Sequence, residues 1–415
     1  MRIIHTADLH LGQVMYQNYT REDEHDHFFS QLEEWCRLYH PDALLVSGDI
    51  FDIQQPGAHV KSLFNRYFVN LHRAFPGMAI VITAGNHDSA SRIQADNAVW
   101  SLGNVTVVGM PPSADSLSKP DGWQQDYIVA LPQGYIVALP FMAYVRKDII
   151  QSILNYIDTR NTDRKPVVLM GHMAVSGMDA TGHGFEIGTL QTLNPDDLGS
   201  GFDYMALGHI HKPQTIGFPD EHSPSSTYPP GIIRYSGSPL HVSCDEKYPH
   251  TVSLVDLQSH NGPVTVTRLR IQQLRHFYEL PLSGPATSAD EVLAAVSQFV
   301  QQHASGYFRL VVDGHAELPP NLHQQIYRLI EPSNDEIRFN PNTIITSLPD
   351  APLPDALPTF QIAELQQMTD PMEFIRQTQS QYPELDIQLL AQAFKEVENE
   401  LRSISNETPS ENNEN

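Results

Sequence analysis

The sequence is poor in cysteine, in long apolar runs and in basic residues, and each shortage argues against a class of protein. Only two of its 415 residues are cysteines, Cys36 and Cys244, which lie far apart and outside any C-x-x-C spacing. This argues against a disulfide framework and against a metal site built on thiolates, and it is typical of a reducing compartment. We therefore expect a cytoplasmic protein.

No apolar run approaches the roughly 20 residues that span a bilayer. The opening MRIIHTADLH has no long apolar stretch and no small-residue cleavage site, so we expect no signal peptide. The chain has 25 basic against 49 acidic residues and a formal net charge of -24. Such acidity argues against a protein that holds nucleic acid mainly by its own basic surface. It remains compatible with a nuclease whose positive charge comes from metal ions or from a partner.

The first half of the chain alternates short β-rich segments with amphipathic helical patterns, which predicts βαβ units and a largely parallel sheet. Apolar residues at helical spacing predict helices over Glu22–Tyr39 and Val60–Leu71. The predicted strands of this region are Arg2–Thr6, Ala43–Ser47, Met78–Thr83, Pro166–Met170 and Tyr204–Leu207. The direct repeat YIVALP-QG-YIVALP, Tyr127 to Pro140, predicts a β-hairpin.

The chain changes character after about Leu257. One more β-like segment, Val264–Ile271, comes first, and the pattern then predicts a small α+β domain with strand Tyr307–Val312 and helices Ser288–Gln302 and Pro320–Ile330. A proline-rich stretch follows, and after it come helical patterns. The last of these has an apolar stripe made of Leu389, Leu390, Ala393, Phe394, Val397 and Leu401. The stripe either docks on a partner or packs back on its own domain, and the pattern favours neither.

We predict five segments along the chain. They are a catalytic domain over 1–272, an α+β capping domain over 273–347, a proline-rich linker over 348–369, a helical region over 370–404 and a disordered tail over 405–415.

Five polar clusters stand where predicted strands end, namely Asp8-Leu9-His10, Gly48-Asp49-Ile50-Phe51-Asp52, Gly85-Asn86-His87-Asp88, Gly171-His172 and Gly208-His209-Ile210-His211. In α/β sheets, ligands gather outside the carboxyl ends of the strands, so the clusters are candidates to converge. Carboxylate, amide and imidazole donors without thiolates suit divalent Mn, Fe, Zn or Mg. The glycines before Asp49, Asn86, His172 and His209 are expected to let the chain turn sharply and approach an ion.

Each cluster alone has a structural interpretation. An aspartate at a strand end can cap the following helix, Gly85-Asn86 can be an ordinary turn, and His172 or His5 can be a buried histidine with a satisfied hydrogen bond. The five clusters in this order favour a shared site over accidental co-occurrence.

The order D-x-H, G-D-x-x-D, G-N-H-D, G-H and G-H-x-H resembles that of the calcineurin-like metallophosphoesterases. The segments MRIIHTADLHLG, SGDIFD, AGNHDS, YMALGHIHKPQ and IRYSGSPL are similar to those of bacterial DNA nuclease subunits in this family, over about residues 1–250. The resemblance implies an α/β fold, with a metallophosphoesterase β-sandwich flanked by helices, a small α+β capping domain and C-terminal helices. One departure is Cys244, where the family usually has an aromatic residue, so the local packing is expected to differ.

The resemblance also implies a two-metal site with Mn²⁺ as the expected ion and Mg²⁺, Fe²⁺ or Zn²⁺ as alternatives. Asp49 would bridge the two ions. One ion would be held by Asp8, His10, Asp49 and His211, and the other by Asp49, Asn86, His172 and His209. Two divalent ions can stabilise both the attacking and the leaving oxygen in phosphoryl transfer.

His87 is left over by this ligand set and would act on the scissile phosphate or protonate the leaving 3′ oxygen. Asp52 and Asp88 would support the ligands from outside, with Asp88 orienting a histidine or capping the next helix. Arg92 and Lys212 follow metal motifs directly, so they either contact DNA phosphates or are solvated surface charges.

The family picture implies a DNA exonuclease of 3′ to 5′ polarity with single-strand and hairpin endonuclease activity, acting in DNA repair, recombination and replication. It also implies an SMC-like coiled-coil ATPase partner docked by the helical region, and a homodimer of the nuclease subunit within a heterotetramer. A standalone phosphoesterase acting on a small phosphodiester or a phosphoprotein is the alternative. A scaffold without activity is disfavoured, because all seven proposed ligands and His87 are present.

Overall fold

A computed structural model describes residues 1–16, 19–119, 122–181, 192–218 and 223–346 of the chain. The predicted linker, helical region and tail, from residue 348 onward, lie outside the described residues. Every helix within the described ranges falls short of the length and apolarity that crossing a bilayer requires.

The strands of the described ranges are numbered in chain order as β1 Arg2–Thr6, β2 Val14–Met15, β3 Tyr19–Thr20, β4 Ala43–Ser47, β5 Ala79–Thr83, β6 Val105–Val108, β7 Ile128–Leu131, β8 Gly134–Ala138, β9 Val167–His172, β10 Ala174–Val175, β11 Thr192–Leu193, β12 Tyr204–Gly208, β13 Gln214–Thr215, β14 Ser225–Tyr228, β15 Ile232–Tyr235, β16 Thr251–Leu257, β17 Val264–Arg270, β18 Phe277–Leu280, β19 Gly306–Asp313 and β20 Ile337–Thr346. The α-helices are α1 Glu22–Tyr39, α2 Ala58–Ala74, α3 Ala90–Gln94, α4 Asn97–Trp100, α5 Ala114–Leu117, α6 Lys147–Asp158, α7 Ala289–Gln302 and α8 Leu322–Ile330. Short 3₁₀ helices lie at Ser101–Gly103, Trp123–Tyr127, Pro195–Leu198 and Glu331–Ser333.

Two mixed sheets form the larger part of the molecule. The first has the order β14-β17-β16-β1-β4-β5-β6, and the second has the order β13-β15-β12-β9-β8-β7. Neighbours are parallel from β1 to β6 in the first sheet and from β15 to β8 in the second, whereas the remaining pairs are antiparallel. The predicted parallel βαβ arrangement is therefore confirmed for the centre of each sheet.

Alternate side chains of the first sheet enter two different cores, because successive side chains of a strand point to opposite faces. Ile3, Leu45 and Val81 share a buried cluster with Leu169 and Met205 of the second sheet, so the two sheets pack face to face. The alternate positions of β1, β4 and β5 pack against α1 and α2. Buried residues of this outer core include Ile4, Leu44, Ile80, Phe28 and Phe68. The expected sandwich flanked by helices is confirmed.

The repeated YIVALP segments form the hairpin that the sequence predicts, with β7 paired antiparallel to β8 from Ile128↔Val137 to Leu131↔Gly134. Residues 277–346 form a small unit with a separate parallel sheet, β18-β19-β20, and the helices α7 and α8. Its own hydrophobic core includes Phe308, Ile326 and Phe339. The N-terminal half of α1 contacts this small unit, because Glu24 accepts a hydrogen bond from the Tyr307 hydroxyl at 2.6 Å.

Cys244, which departs from the family pattern, packs in a polar setting. Arg309 Nη1 lies 3.1 Å from the Cys244 sulfur, and Asn340 Nδ2 lies 3.6 Å from it. The thiol therefore contacts polar groups of the small unit.

Candidate metal centre

The polar clusters of the two sheets meet where the sheets' parallel strands end. The carboxyl ends of β1, β4 and β5 are adjacent in the first sheet, and those of β9 and β12 are adjacent in the second. Hydrogen bonds join the two edges. His172 Nδ1 donates to the Ser47 carbonyl at 2.9 Å, and the His209 amide donates to Asp8 Oδ1 at 2.9 Å. The predicted convergence of clusters that lie far apart in sequence is thus observed.

Four of the proposed ligand residues have left-handed backbone conformations, with φ of 54° at Asp8, 46° at His10, 49° at Asp49 and 97° at His209. Such conformations are uncommon for residues other than glycine and cost free energy. They persist only where the surrounding structure enforces them, and they concentrate at functional sites.

The glycines of these clusters stand where two chain segments pack too closely for a side chain. A Cβ on Gly208 would lie 1.9 Å from the Ser47 carbonyl oxygen, and one on Gly85 would lie 2.1 Å from Asp49 Oδ1. A Cβ on Gly48 would lie 2.1 Å from His172 Nδ1, and Gly48 alone of these three has a positive φ, at 84°. We expected the glycines to give close access to an ion, whereas the structure shows that they let the loops and the two sheets touch.

We expect Gly208→Ala to lower the free energy of unfolding by about 3 kcal/mol, because the new methyl group would overlap backbone that cannot move independently. Gly77→Ala is the matched control, since a Cβ there meets nothing within 4 Å. That control should stay within about 0.5 kcal/mol of the parent protein in chemical denaturation. Equal stability of the two variants would contradict the close packing between the sheets.

The candidate ligand atoms form two overlapping groups. Those of Asp8, His10 and His211 lie within 4.8 Å of one another, as do those of Asp8, Asp49 and His172. Asp49 Oδ2 stands between the groups, 3.3 Å from His172 Nε2 and 4.0 Å from His10 Nε2. This position is the one that a bridging carboxylate would need.

Asn86 and His209 lie on the His172 side of the centre. The Asn86 side-chain oxygen is 3.0 Å from His172 Nε2, and the His209 ring centroid is 5.4 Å from that of His172. All seven proposed ligands therefore lie in one region, and their division between two ions remains a prediction. Asp8 differs in detail, because it also stands close to the Asp49 and His172 pair.

The centre is buried and rich in electron-pair donors, so it fits divalent cations. Asp8 Oδ2 and His10 Nε2 are buried without a hydrogen-bond partner, which is rare unless an ion or water satisfies such atoms. Burial raises the pKa of Asp8 to about 7. Burial alone would also raise that of Asp49, but the adjacent His172 and His10 hold the Asp49 pKa below its usual value. A cation would satisfy the unpaired atoms and favour the ionised carboxylates.

Residues 1–213 match the family model described as calcineurin-like phosphoesterase. The chain belongs to this family. The match covers about half of the chain and contains all seven proposed ligands. The calcineurin-like phosphoesterase fold therefore accounts for the two sheets and for the place where their clusters meet.

Alignments with relatives of this phosphoesterase cover more than half of the chain. It is 32% identical over 291 residues to the SbcD subunit of the nuclease SbcCD from Escherichia coli (strain K12), an alignment that covers 64% of this chain and 69% of the relative. The SbcD subunit from Rhodobacter capsulatus is 30% identical over 332 residues, covering 72% and 76%. The DNA double-strand break repair protein Mre11 of Aeropyrum pernix is 28% identical over 256 residues, covering 58% and 57%.

Three of the four histidines of the phosphoesterase centre have an oxygen close to Nδ1. His172 Nδ1 is held by the Ser47 carbonyl, His10 Nδ1 lies 3.3 Å from Asp52 Oδ1, and His211 Nδ1 lies 2.9 Å from Glu246 Oε1. In each ring, Nε2 is then the nitrogen that would bind a metal. Groups that hold the second ring nitrogen fix the tautomer and orientation of a metal-binding histidine.

Glu246 is the contributing residue that the sequence did not reveal. It is buried, its Oε1 faces His211, and its Oε2 accepts from the Val242 amide at 3.0 Å. Burial raises its pKa to about 7. The signal available was weak, because Glu246 belongs to none of the five motifs. It lies between His241 and His250, two further histidines within a short segment.

His87 differs from its neighbour Asn86 because it is exposed at the rim of the centre. Its Nδ1 contacts the Asp52 carbonyl at 2.8 Å, and its ring centroid is 5.0 Å from that of His10. Its amide donates to Asp49 Oδ1 at 2.9 Å, so the backbone and the ring are both held in place. Asp52 thus contacts two histidines, one through its carboxylate and one through its carbonyl.

Asp88 acts on the backbone of two loops. Its carboxylate accepts from the amides of Gly85 at 2.8 Å, Phe51 at 2.9 Å and Ile50 at 3.1 Å. We expected it to orient a histidine or to cap the next helix. Instead it ties the loop after β5 to the loop after β4, which holds Asn86 and Asp49 at a fixed separation.

The two candidate phosphate-contacting residues differ in their surroundings. Arg92 is exposed on α3, whereas Lys212 forms an ion pair with Asp179. Two other arginines near the motifs, Arg21 and Arg234, are buried and bound to protein groups, among them Glu24 and Ser253. DNA contact by Arg92 and Lys212 remains a prediction.

Proposed function

We propose that this chain is the nuclease subunit of an SbcCD-type complex, which hydrolyses DNA phosphodiester bonds together with an SbcC-type ATPase partner in DNA repair and recombination. The observation that carries the proposal is the buried donor cluster at the junction of the two sheets, with the exposed His87 at its rim. The names of the relatives are consistent with it, since they are nuclease subunits and a double-strand break repair protein.

Two divalent ions would be held by the seven residues of the cluster. Asp8, His10, Asp49 and His211 would hold one ion, and Asp49, Asn86, His172 and His209 would hold the other, with Asp49 shared. Mn²⁺ is our proposed ion, because mixed imidazole and oxygen donors without thiolate suit it. When bound, such ions polarise the phosphoryl group and lower the pKa of a coordinated water.

The protein's own contribution is orientation and proton transfer. Protonated on both ring nitrogens, His87 would donate from Nδ1 to the Asp52 carbonyl and deliver its Nε2 proton to the leaving 3′ oxygen. Asp88 and Glu246 would keep the ligand loops and His211 in place through the contacts described above. Arg92 and Lys212 would contact flanking phosphates.

The proposed partner site lies in the predicted helical region, residues 370–404. We expect deletion of residues 370–415 to abolish co-purification with a coexpressed SbcC-type ATPase, because the apolar stripe would dock on the partner's coiled coil. The deleted protein should still hydrolyse DNA with added metal, since the centre lies within residues 1–250. Undiminished co-purification would contradict this docking site.

We also propose that the nuclease subunit forms a homodimer through an exposed apolar surface at α4 and the 3₁₀ helix after it. Val99 is 70% exposed and Leu102 is 89% exposed there. Leu102→Glu should shift the purified chain from dimer to monomer in sedimentation velocity. Leu282→Glu is the matched control, because Leu282 is 69% exposed on the small unit. A parent protein that is monomeric at micromolar concentration would contradict the dimer.

The direct test is hydrolysis of linear double-stranded DNA, single-stranded DNA and hairpins by the purified chain. It should be run with and without the coexpressed ATPase, in Mn²⁺ and in Mg²⁺. We expect metal-dependent cleavage that is strongest with Mn²⁺, and end-labelled substrates should show removal from the 3′ end. Cleavage restricted to small phosphodiesters such as bis(p-nitrophenyl) phosphate would instead support a standalone phosphoesterase.

A further inference from the structure

A second group of side chains that could hold a metal ion lies next to the centre described above. His241, Glu246 and His250 belong to the connection from β15 to β16, and their ligand atoms lie within 4.8 Å of one another. The group borders a cleft of about 750 Å³ that the small unit lines on its other side with residues such as Phe277 and Arg309. A small ion from solvent therefore has a route to it.

The hydrogen bonds of this group place more lone pairs than protons around one point. His250 Nδ1 lies 2.7 Å from the Ser238 carbonyl, which can only accept, so Nδ1 carries the proton of the neutral ring. His250 Nε2 then presents a lone pair 2.9 Å from His241 Nδ1 and 3.5 Å from Glu246 Oε2. The Glu246 carbonyl oxygen lies 3.0 Å from the same His241 nitrogen.

His241 Nδ1 can donate its proton to the Glu246 carbonyl oxygen or to His250 Nε2, and Glu246 Oε2 accepts from the Val242 amide. His250 Nε2 and Glu246 Oε2 still have lone pairs that face the common point. A cation there would interact favourably with both of them and with His241.

The donor set and its spacing suit zinc. Two imidazoles and one carboxylate are a recurrent zinc ligand set, and bonds of about 2.0–2.1 Å in a tetrahedron place ligand atoms about 3.3 Å apart. The two distances from His250 Nε2, 2.9 Å to His241 Nδ1 and 3.5 Å to Glu246 Oε2, lie on either side of that value. We propose that His241, Glu246 and His250 bind one zinc ion, separate from the proposed catalytic pair.

Glu246 connects this site to the centre, because its other oxygen holds His211 Nδ1 at 2.9 Å. A zinc ion on Oε2 would fix the carboxylate and, through it, the His211 ring. It would also anchor the segment that contacts the small unit through Asp245 and Lys247, which pair with Arg309 and Glu279. The ion is thus a structural element at the junction of the two cores.

The test is zinc titration of the full chain carrying Asp49→Asn, a background in which the proposed catalytic pair is weakened. We expect one tight zinc equivalent per chain and an increase in the melting temperature when zinc is added. Adding His241→Asn or His250→Asn should remove that equivalent and the thermal effect. His276→Asn is the matched control, since His276 lines the same cleft but is not one of the three proposed ligands.

An unchanged zinc equivalent in both the His241→Asn and the His250→Asn variants would overturn the proposal. Failure of the catalytic assignment would look different, because Asp49→Asn would then retain extra equivalents that are insensitive to His241 and His250. Crystals of the unmutated chain grown with zinc give a second readout that does not depend on variant folding. An anomalous zinc peak between the three side chains supports the site, and its absence while other zinc peaks are present overturns it.

Discussion

Asp49→Ala is expected to lose both metal ions and to reduce DNA hydrolysis by about 10³-fold or more, since removing even one stabilising group at a reacting centre costs about 10²–10³-fold. Asp49 Oδ2 stands between His10 Nε2 and His172 Nε2, so its removal takes a donor from both ions. Manganese content by mass spectrometry should fall below one ion per chain, and cleavage of end-labelled DNA in Mn²⁺ should fall with it.

Two further variants make this result interpretable. Asp49→Asn removes the negative charge but keeps an oxygen that can accept from the His87 amide. Metal loss in both Asp49 variants would show that metal binding requires the charge of the carboxylate. Asp42→Ala is the matched control, because Asp42 lies at the opposite end of β4 and accepts from the Arg2 amide. Retention of two ions in Asp49→Ala would rule out the bridging role.

His87→Ala is expected to keep both ions and to lower strand cleavage by about 10²–10⁴-fold, the usual contribution of a general acid. His87 is exposed, its Nδ1 contacts the Asp52 carbonyl, and it lies outside both groups of ligand atoms. The loss should depend on the leaving group. A p-nitrophenolate leaves without protonation, so hydrolysis of p-nitrophenyl thymidine phosphate should suffer much less than hydrolysis of DNA.

His59→Ala serves as the control for His87→Ala, because His59 is exposed on α2 and pairs with Glu22 away from the centre. Loss of a metal ion in His87→Ala would make His87 a ligand. An equal loss of rate on DNA and on the p-nitrophenyl ester would show that His87 positions the phosphate without donating a proton. Either result would contradict the division of roles between the adjacent Asn86 and His87.

Much of the fold followed from periodicity. The bounds of β1, β4 and α1 are those predicted, because these elements carry strong apolar patterns that one buried face imposes. The edge strand Ser225–Tyr228 was missed, because it is short, polar and stabilised by pairing with β17 across a long stretch of sequence. Helix α6, Lys147–Asp158, was also missed, although its buried isoleucines repeat at helical spacing.

The sequence by itself determined the family, the central strands and helices, and the set of residue types at the strand ends. Motif order and local periodicity are properties of the chain that need no knowledge of distant contacts. Only the tertiary structure showed that the Ser47 carbonyl packs against Gly208, that Asp88 joins two loops by hydrogen bonds and that Glu246 contacts His211. Each of these contacts joins segments from different strands or loops, and the packing of two sheets sets their distance.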